Sequence, residues 1–421
     1  MAAFLRHLFS HLGLYTEFLR MGIIPQFLWD RMWCKLFFSA PIPGSVADRA
    51  AARRRIMQEI GILERIMLES STAPSTADQD AEVEAASPDT STLPFVDISL
   101  LGGTSAERTR MASELGEILH HFGFFYLRGH GVDPALCAAA LAITKQFFAL
   151  PESDKLAICM TKSPHFRGYC RAGLELTAGA PDWREQVDFD REEAAVPMLP
   201  GSPLWQRAIG PNQWPAALPE LKQTILKYQA EMTRVGIDVL RAIAIALGQP
   251  EDVFASMYSS GPRQHLKLVR YPGRDQTNSN QGVGAHKDGG LVTILLQDVL
   301  PGLRVQLEDG TWIDAPPVPG TFVVNTGELL ELATDGFVQS DVHCATTPPP
   351  GTARYSIPFF LGASHDGAIP LIELPPELRE VERGISSDPS NPLFRDVGKN
   401  HLKARLRSHP DVAAIHYPEM L

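Results

Sequence analysis

A histidine and an aspartate two positions apart, in the segment GAHKDGG, constrain this chain more than any other feature. On an extended backbone, this spacing directs the His286 and Asp288 side chains to the same face. A second histidine, His343, follows further along the chain, and Arg354 and Ser356 come soon after it. Any fold for this sequence has to explain whether these five side chains meet.

The His-x-Asp pair alone is weak evidence, because the chain contains 13 histidines and such pairs arise by chance. The surrounding sequence strengthens it. The strand-like segment LVTILLQD follows the pair directly, and His343 lies ahead of the strand-like segment ARYSIPFFLG. Two neutral imidazoles and one carboxylate on one face of a metal leave three coordination positions open, which is the ligand set of non-haem Fe(II) oxygenases. The pattern predicts that His286, Asp288 and His343 are metal ligands.

The order of predicted helices and strands indicates the fold class. Residues 264–362 form short β-rich segments separated by Gly, Pro and Asp turns, which is typical of a sandwich or barrel. Ahead of them, the pattern predicts helices at 105–122, 134–150 and 218–248, with loops at 156–190 that cover an active-site mouth. The sequence therefore predicts an α+β fold: a double-stranded β-helix (jelly roll) barrel with supporting helices and a helical N-terminal extension.

Changes in composition along the chain predict its domain organisation. Residues 70–92 are small, polar and acidic, so they cannot bury enough apolar surface to fold and are expected to form a flexible linker. The predicted segments are a helical N-terminal extension at 1–69, the linker at 70–92, the helical scaffold and substrate loops at 93–255, the jelly-roll core at 256–375, and a partly helical C-terminal tail at 376–421.

The first 45 residues are rich in aromatic side chains and leave several interpretations open. Arg20, Asp30 and Arg31 interrupt every apolar run before it reaches transmembrane length. Phe4, Leu8 and the residues beside them suggest one apolar helix face. This face fits a helix packed on the catalytic domain, a helix that contacts a membrane surface, or a cleavable targeting segment. A wrongly assigned start codon is a fourth interpretation.

The chain resembles the isopenicillin-N-synthase-like branch of the Fe(II)/2-oxoglutarate-dependent dioxygenases over roughly residues 93 to 375. The N-terminal resemblance lies in LPFVDISLL and HHFGFFYLRGHGV, which indicate the branch but not the chemistry. The C-terminal resemblance is highly specific as a set and lies in LKLVRYPG, GAHKDGGLVTILLQD, GTFVVNTGELLELATDG and VHCATTPPPGTARYSIPFF.

The resemblance implies Fe(II), 2-oxoglutarate as co-substrate and O2, with ascorbate as a candidate reductant. Arg354 and Ser356 match the family motif that binds the distal carboxylate of 2-oxoglutarate, a role that suits the planar fork of arginine. The competing interpretation of Arg354 is a solvated surface ion pair. Tyr271 matches a position whose hydroxyl also helps to bind the co-substrate. Plant members usually have an asparagine where this chain has Val269, a departure that argues against a plant hormone or flavonoid role.

The resemblance implies oxidation of a C–H bond in a small molecule, by hydroxylation, desaturation or ring closure. The segment GYCRAGLELTAGAPDWRE is similar to microbial members of specialised metabolism. Two alternatives stay open. One is a 2-oxoglutarate-independent Fe(II) oxidase of the isopenicillin N synthase type. The other is a non-catalytic binding protein on the same fold.

Composition limits the partners and the compartment. The formal net charge of −11 and the lack of long basic runs argue against a nucleic-acid partner. The five cysteines are scattered without a CxxC pair, so reduced thiols in a cytoplasmic setting are expected. The predicted partner is a small-molecule substrate, and residues 1–45 are the candidate for membrane-surface contact.

A few further residues carry expectations of their own. Phe166, Arg167 and Tyr169 are predicted to belong to a substrate loop. Asn325 is predicted to be a turn residue whose side chain binds the backbone. Ser105 is predicted to be the N-cap of the first helix of the catalytic domain.

The linker position leads to a first prediction. A shortened protein that begins at Ser91 keeps every predicted catalytic motif, so we expect it to retain iron binding and 2-oxoglutarate turnover. The measurement compares uncoupled 2-oxoglutarate turnover and thermal stability for the full-length and shortened proteins. Loss of folding or of iron binding on truncation would show that the extension belongs to the catalytic core.

Overall fold

The computed structural model describes residues 92–379, Gly384 and residues 391–420. The predicted N-terminal extension and all but the last residue of the predicted linker lie outside these residues, and the predictions made for them stay predictions.

Within the described residues, the strands in chain order are β1 (Phe95–Asp97), β2 (Phe124–Arg128), β3 (Gly168–Cys170), β4 (Leu176–Thr177), β5 (Ala180–Pro181), β6 (Glu185–Phe189), β7 (Arg263–Pro272), β8 (Gln281–His286), β9 (Val292–Gln297), β10 (Leu303–Gln306), β11 (Trp312–Asp314), β12 (Phe322–Thr326), β13 (His343–Thr346) and β14 (Ala353–Gly362). The helices are α1 (Ser105–His121), α2 (Pro134–Ala149), α3 (Glu152–Ala157), α4 (Glu220–Ala246), α5 (Glu328–Ala333), α6 (Pro376–Arg379), α7 (Val397–Ser408) and α8 (Pro410–His416). Among these described helices, none has the length and apolar character needed to cross a membrane.

Two sheets form the core. The large sheet has the order β1-β2-β12-β9-β14-β7-β6-β3, and the small sheet has the order β11-β10-β13-β8. The two sheets face each other, because side chains of β2 and β12 share one apolar cluster with side chains of β10 and β11. This sheet-rich core is consistent with the predicted jelly roll.

The outer face of the large sheet packs against helices. Leu268, Ile294 and Phe359, on three neighbouring strands, belong to the same buried apolar cluster as the inward face of α4. The predicted periodicity of α4 is confirmed, since Leu221, Ile225, Tyr228, Met232, Val235, Val239 and Ile243 are all buried. Burial of side chains of this size contributes about 1.5–3 kcal/mol each. Helix packing therefore fixes the large sheet from one side and leaves its other face for the site.

The start of α1 differs from the prediction by one residue. Thr104, rather than Ser105, is the N-cap, and its hydroxyl accepts a hydrogen bond from the Glu107 backbone N–H at 3.4 Å. The Glu107 carboxylate accepts one from the Thr104 backbone N–H at 2.8 Å. Glutamate at the third helical position completes this reciprocal pair only when the cap is Thr104.

The region predicted as loops at 156–190 contains two strands of the large sheet, so that prediction is wrong in part. β6 pairs with β7 and also with β3, and all five β6 residues are buried. Its sequence, EQVDF, alternates polar and apolar residues over only its last four positions, the shortest run that indicates a strand, and turns rich in Gly and Pro precede it. The segment forms a strand despite this composition because it pairs with β7.

The C-terminal residues return to the sheet, as expected for a partly helical tail. The Arg405 guanidinium on α7 donates to the Asp188 carboxylate of β6 at 2.9 Å. The Tyr417 hydroxyl donates to the Pro164 carbonyl at 2.6 Å. Residues 391–420 thus close the side of the barrel on which β3 and β6 lie.

Candidate metal centre and its pocket

Strand pairing in the small sheet brings the two predicted histidine ligands together. His286 ends β8, His343 begins β13, and the two residues lie opposite each other in the antiparallel register. The Asp288 Oδ1 atom lies 3.5 Å from His286 Nε2 and 3.7 Å from His343 Nε2. The three side chains offer one ligand atom each within 4.8 Å of one another, a spacing that can hold a metal ion.

The backbone orients both imidazoles. His286 Nδ1 lies 2.8 Å from the Gly284 carbonyl oxygen, and His343 Nδ1 lies 3.2 Å from the Asp341 carbonyl oxygen. A carbonyl oxygen only accepts, so each Nδ1 has to carry the proton. The neutral form of each ring then has its lone pair on Nε2, the nitrogen that lies nearest Asp288. This arrangement, in which the second ring nitrogen donates to the backbone, is usual for histidines that bind metals.

Two buried side chains orient Asp288, and the sequence did not reveal them. The Thr293 hydroxyl donates to Asp288 Oδ2 at 2.6 Å, and the Asn325 amide donates to the same oxygen at 2.9 Å. Asn325 was predicted to be a turn residue whose side chain binds the backbone. That prediction is wrong, because its main hydrogen bond goes to the Asp288 carboxylate. Oδ2 is occupied, and Oδ1 remains free to act as a ligand. The sequence contained one signal for the role of Thr293. The strand-like segment around it places its side chain on the inner face of the large sheet, where Asp288 lies.

The electrostatics of the three groups differ. Burial lowers the pKa of the His286 imidazole, but the hydrogen bond and the charge of Asp288 raise it by more, so the net pKa lies above its usual value. Burial by itself raises the pKa of the Asp288 carboxyl. The neighbouring histidines and Thr293 lower that pKa by a larger amount, so the net pKa lies well below its usual value. Burial, together with the His286 ring, lowers the pKa of His343 to about 4. Asp288 therefore stays ionised and His343 stays neutral near pH 7, which are the forms that bind metals.

Arg354 is a buried cation with one free donor. Its Nη2 donates to the Gln297 side-chain oxygen at 2.8 Å, and its Nε donates to the Leu300 carbonyl at 3.2 Å. Its Nη1 is buried and has no partner among the described residues. The guanidinium carbon lies 4.9 Å from the centre of the Tyr271 ring, and Tyr271 is its cross-strand neighbour on β7. The interpretation of Arg354 as a solvated surface residue is wrong, because only 1% of the residue is exposed.

One pocket between the two sheets contains both the His-His-Asp cluster and Arg354. His286, Asp288, His343, Arg354, Ser356 and Tyr271 all line it, together with Asn325, Thr293 and Arg184. A buried guanidinium with an unpaired N–H near a His-His-Asp cluster can bind a carboxylate whose other end reaches a metal. The residues present therefore fit a divalent metal with an anionic co-ligand.

The predicted substrate-loop residues do not line this pocket. Phe166, Arg167 and Tyr169 are at most 3% exposed and pack within the fold. The Tyr169 hydroxyl donates to Glu185 at 2.6 Å, and the Arg167 guanidinium lies 3.6 Å from Asp190. That prediction is wrong because the segment belongs to a sheet edge covered by the C-terminal residues.

Family models match both halves of the described chain. The model of the N-terminal region of non-haem dioxygenases in morphine synthesis matches residues 93–217. The model of the 2OG-Fe(II) oxygenase superfamily matches residues 262–363, which include the six predicted site residues.

Curated relatives align over most of the chain. A 2-oxoglutarate-dependent dioxygenase of Dothideomycetidae sp. (strain 11243) is 36% identical over 350 residues, which cover 78% of this chain and 93% of that protein. A homoarginine-6-hydroxylase of Oryza sativa subsp. japonica is 32% identical over 309 residues, which cover 70% of this chain and 92% of that protein. A 1-aminocyclopropane-1-carboxylate oxidase of Dictyostelium discoideum is 30% identical and covers 65% of this chain and 82% of that protein.

Solved structures show the same fold. Neurospora crassa T7H in complex with alpha-KG matches with a TM-score of 0.61 and 28% identity, covering 75% of this chain and 97% of that chain. A protein of the 2OG-Fe(II) oxygenase family from Caulobacter crescentus matches with a TM-score of 0.59 and 31% identity, covering 76% of this chain and 99% of that chain. The chain belongs to the 2-oxoglutarate- and Fe(II)-dependent oxygenases, which need Fe(II), 2-oxoglutarate and O2.

Proposed function

We propose that His286, Asp288 and His343 bind the Fe(II), that Arg354, Ser356 and Tyr271 bind 2-oxoglutarate, and that the enzyme oxidises a C–H bond of a small molecule. One observation carries the assignment of residues: the His-His-Asp cluster and a buried guanidinium with a free N–H line the same pocket. Hydroxylation, desaturation and ring closure all fit this proposal.

Each residue has a stated task in this proposal. Bound Fe(II) supplies the one-electron chemistry with O2 that no amino-acid side chain supplies. His286 and His343 would each present an Nε2 atom to the metal, and Asp288 would present one oxygen while Thr293 and Asn325 hold the other. These three side chains would hold Fe(II) from one side, and the part of the pocket lined by Arg354 would remain for 2-oxoglutarate.

Arg354 is the proposed anchor for the far carboxylate of 2-oxoglutarate. The free Nη1 supplies a charged donor, and Gln297 and the Leu300 carbonyl hold the guanidinium in place. Ser356, two residues along the same strand, lines the pocket on the same face. Tyr271 packs its ring against the guanidinium. A mostly apolar setting strengthens such a charged hydrogen bond.

The names of relatives support a small-molecule substrate. They mention homoarginine and 1-aminocyclopropane-1-carboxylate, and one structure of the Neurospora crassa protein contains thymine. A role in specialised metabolism rests on the resemblance noted above and forms part of the proposal.

Succinate formation tests the proposal. The purified protein is incubated with Fe(II), 2-oxoglutarate and O2, and each component is omitted in turn. We expect succinate only in the complete mixture, with a rise on addition of a suitable small molecule. Oxygen uptake that is independent of 2-oxoglutarate would contradict the co-substrate assignment.

Asp288→Ala removes the anionic ligand. We expect Fe(II) affinity to fall by more than the roughly 10–100-fold that typically follows loss of a residue supporting a ligand. Anaerobic Fe(II) titration measures the change, and circular dichroism checks the fold. Asp314→Ala, at an exposed position of β11, is the matched control. Unchanged iron affinity in Asp288→Ala would overturn the ligand assignment.

Asn325→Leu tests the support of Asp288. The substitution keeps the approximate side-chain volume but removes the donor to Asp288 Oδ2. We expect Fe(II) affinity to fall about 10–100-fold, which is less than in Asp288→Ala. The same anaerobic titration measures it. An affinity equal to that of the wild type would mean that Thr293 alone orients the carboxylate.

Arg354→Gln removes the proposed co-substrate anchor. Loss of one partner from a buried charged pair costs about 2–5 kcal/mol, so we expect the KM for 2-oxoglutarate to rise by about 30-fold or more. Fe(II) affinity should stay nearly constant. Arg304→Gln, which removes a guanidinium from a more exposed pair with Asp314, is the control. An unaltered KM in Arg354→Gln would refute the assignment.

A further inference from the structure

A second cavity lies apart from the metal pocket, and no described residue lines both. Its volume is about 220 Å³, compared with about 60 Å³ for the metal pocket. We define it by Arg191, Trp205, Arg263, His365 and Asp366, which all line it. At roughly 30 Å³ for each water molecule in the liquid, this volume has room for about seven waters. The second cavity is therefore large enough for a small organic molecule.

Strand β7 runs between the two cavities. Tyr271, near its C-terminal end, lines the metal pocket, and Arg263, its first residue, lines the second cavity. In an extended strand, the separation of these two residues corresponds to about 26 Å. A small ligand in the second cavity would therefore not reach Tyr271 or its neighbour Arg354 across the sheet.

Specific contacts hold the wall of the second cavity in place. Arg191 Nη2 donates to the Glu193 carboxylate at 2.8 Å. Gly261 has a φ of +105°, and a Cβ atom there would collide with Arg191 Nη1, so glycine permits this close approach. Trp205 stacks on the His365 imidazole, with ring centroids 6.1 Å apart and an angle of 13° between the rings. These contacts fix Arg191 and Trp205 at the cavity wall.

One positive charge at this cavity has no carboxylate of its own. Asp190 Oδ2 lies 3.0 Å from Arg263 Nε and 3.6 Å from Arg167 Nη2. Among the described residues, Asp190 is the only carboxylate within 4.0 Å of either arginine. Burial and the charges of Arg167 and Arg405 lower the pKa of Arg263 to about 10, although Asp190 raises it. Arg263 is still charged near pH 7, so two cations share one anion.

Arg263 has a donor left to present this charge to a ligand. Its Nε donates to Asp190 at 3.0 Å, and its Nη2 lies 2.6 Å from His265 Nδ1. Its Nη1 makes no hydrogen bond to a described residue, and 15% of the side chain is exposed. A hydrogen bond from a mostly buried guanidinium to a carboxylate is stronger than the same bond at a solvated position. Arg263 is thus suited to bind a carboxylate in the second cavity.

A free carboxylate lines the same cavity. Asp366 is exposed and forms no ion pair or hydrogen bond with a described residue. A simple anion at Arg263 would also meet this negative charge, and a simple cation at Asp366 would also meet Arg263. A molecule that carries both charges satisfies both residues. Trp205, Val196 and Ile209 supply apolar contact for its carbon skeleton.

We propose that the second cavity binds a small zwitterion of the amino-acid class, whose carboxylate pairs with Arg263 and whose ammonium group pairs with Asp366. The paired charges of Arg191 and Glu193 leave these two residues as the free cation and anion of the cavity. The inference is independent of the proposed function, because no described residue lines both cavities.

Matched analogues test the proposal. The full-length protein, loaded with Fe(II) and 2-oxoglutarate without O2, is titrated calorimetrically with the standard L-amino acids and with short-chain ω-amino acids. Each is compared with the acid that lacks the amino group and with the amine that lacks the carboxyl group. We expect at least one zwitterion to bind about tenfold or more tightly than both of its analogues, because each analogue loses one charged hydrogen bond.

Asp366→Asn locates the ammonium contact. The position is exposed and makes no ion pair or hydrogen bond with a described residue, so the fold should be kept. We expect the Kd of the zwitterion to rise about tenfold, towards that of the acid without the amino group, while succinate formation from 2-oxoglutarate is unchanged. Asp309→Asn, at an exposed position outside the cavity, is the matched control and should bind as the wild type does.

Substitution of Arg263 locates the carboxylate contact. Arg263→Gln removes the charge and should weaken the zwitterion about tenfold or more. Arg263→Lys keeps the charge and should retain part of the affinity, which also covers the case in which the glutamine variant does not fold. Asp288→Ala changes the metal pocket alone and should bind the zwitterion with an unchanged Kd.

Three results would overturn the proposal. They are a panel in which no zwitterion exceeds both of its analogues, a preference that survives in Asp366→Asn, and loss of zwitterion binding in Asp288→Ala, which would place the ligand at the metal. The proposed function is tested separately, since it depends on succinate formation from 2-oxoglutarate in air.

Discussion

The antiparallel pairing of β8 with β13 sets His286 opposite His343, and the geometry of the pocket depends on this register. A shift of one residue would turn one imidazole to the other face of the small sheet. Each histidine is also held by a backbone carbonyl two residues earlier, so strand register and ring orientation are fixed by the same backbone. Asp288 follows β8 by two residues and is held from the opposite sheet by Thr293 and Asn325. The cluster therefore exists only when the two sheets face each other.

The sequence predicted which side chains line the candidate site better than it predicted the side chains that support them. His286, Asp288, His343 and Arg354 are recognisable because their residue types, order and strand-like surroundings all point to one kind of site. The contact from Asn325 to Asp288 joins positions that are 37 residues apart, and no local pattern encodes it. The N-cap of α1 is Thr104 rather than Ser105, and the sequence allowed this to be predicted, because Glu107 lies three positions after Thr104.

β6 shows why part of the fold could not be predicted. A buried strand is recognised from a run of apolar residues on alternate positions, and β6 has only two of them, Val187 and Phe189, while its inner face carries Gln186 and Asp188. Asp188 is tolerated there because Lys267 and Arg405 reach it from other elements, and both contacts are distant in sequence. The Gln186 amide donates to the same carboxylate. Charged groups on an inner face are a costly way to build a core, since apolar side chains of the same volume often give equal or greater stability. Their presence beside the candidate metal centre agrees with the general finding that sites depart from rules that hold elsewhere in a fold.

The contact between Arg405 and Asp188 also bears on the order in which the protein matures. The two residues are separated by 217 positions, so β6 is synthesised long before the arginine that neutralises it. Until α7 docks, Asp188 lacks its Arg405 partner, although Lys267 on β7 can already reach it. Arg405 is also synthesised after the three candidate metal ligands, so the pairing of Asp188 can be completed only after those residues have been made. A chaperone or protease acting on the newly made chain would meet a barrel with an open, charged side.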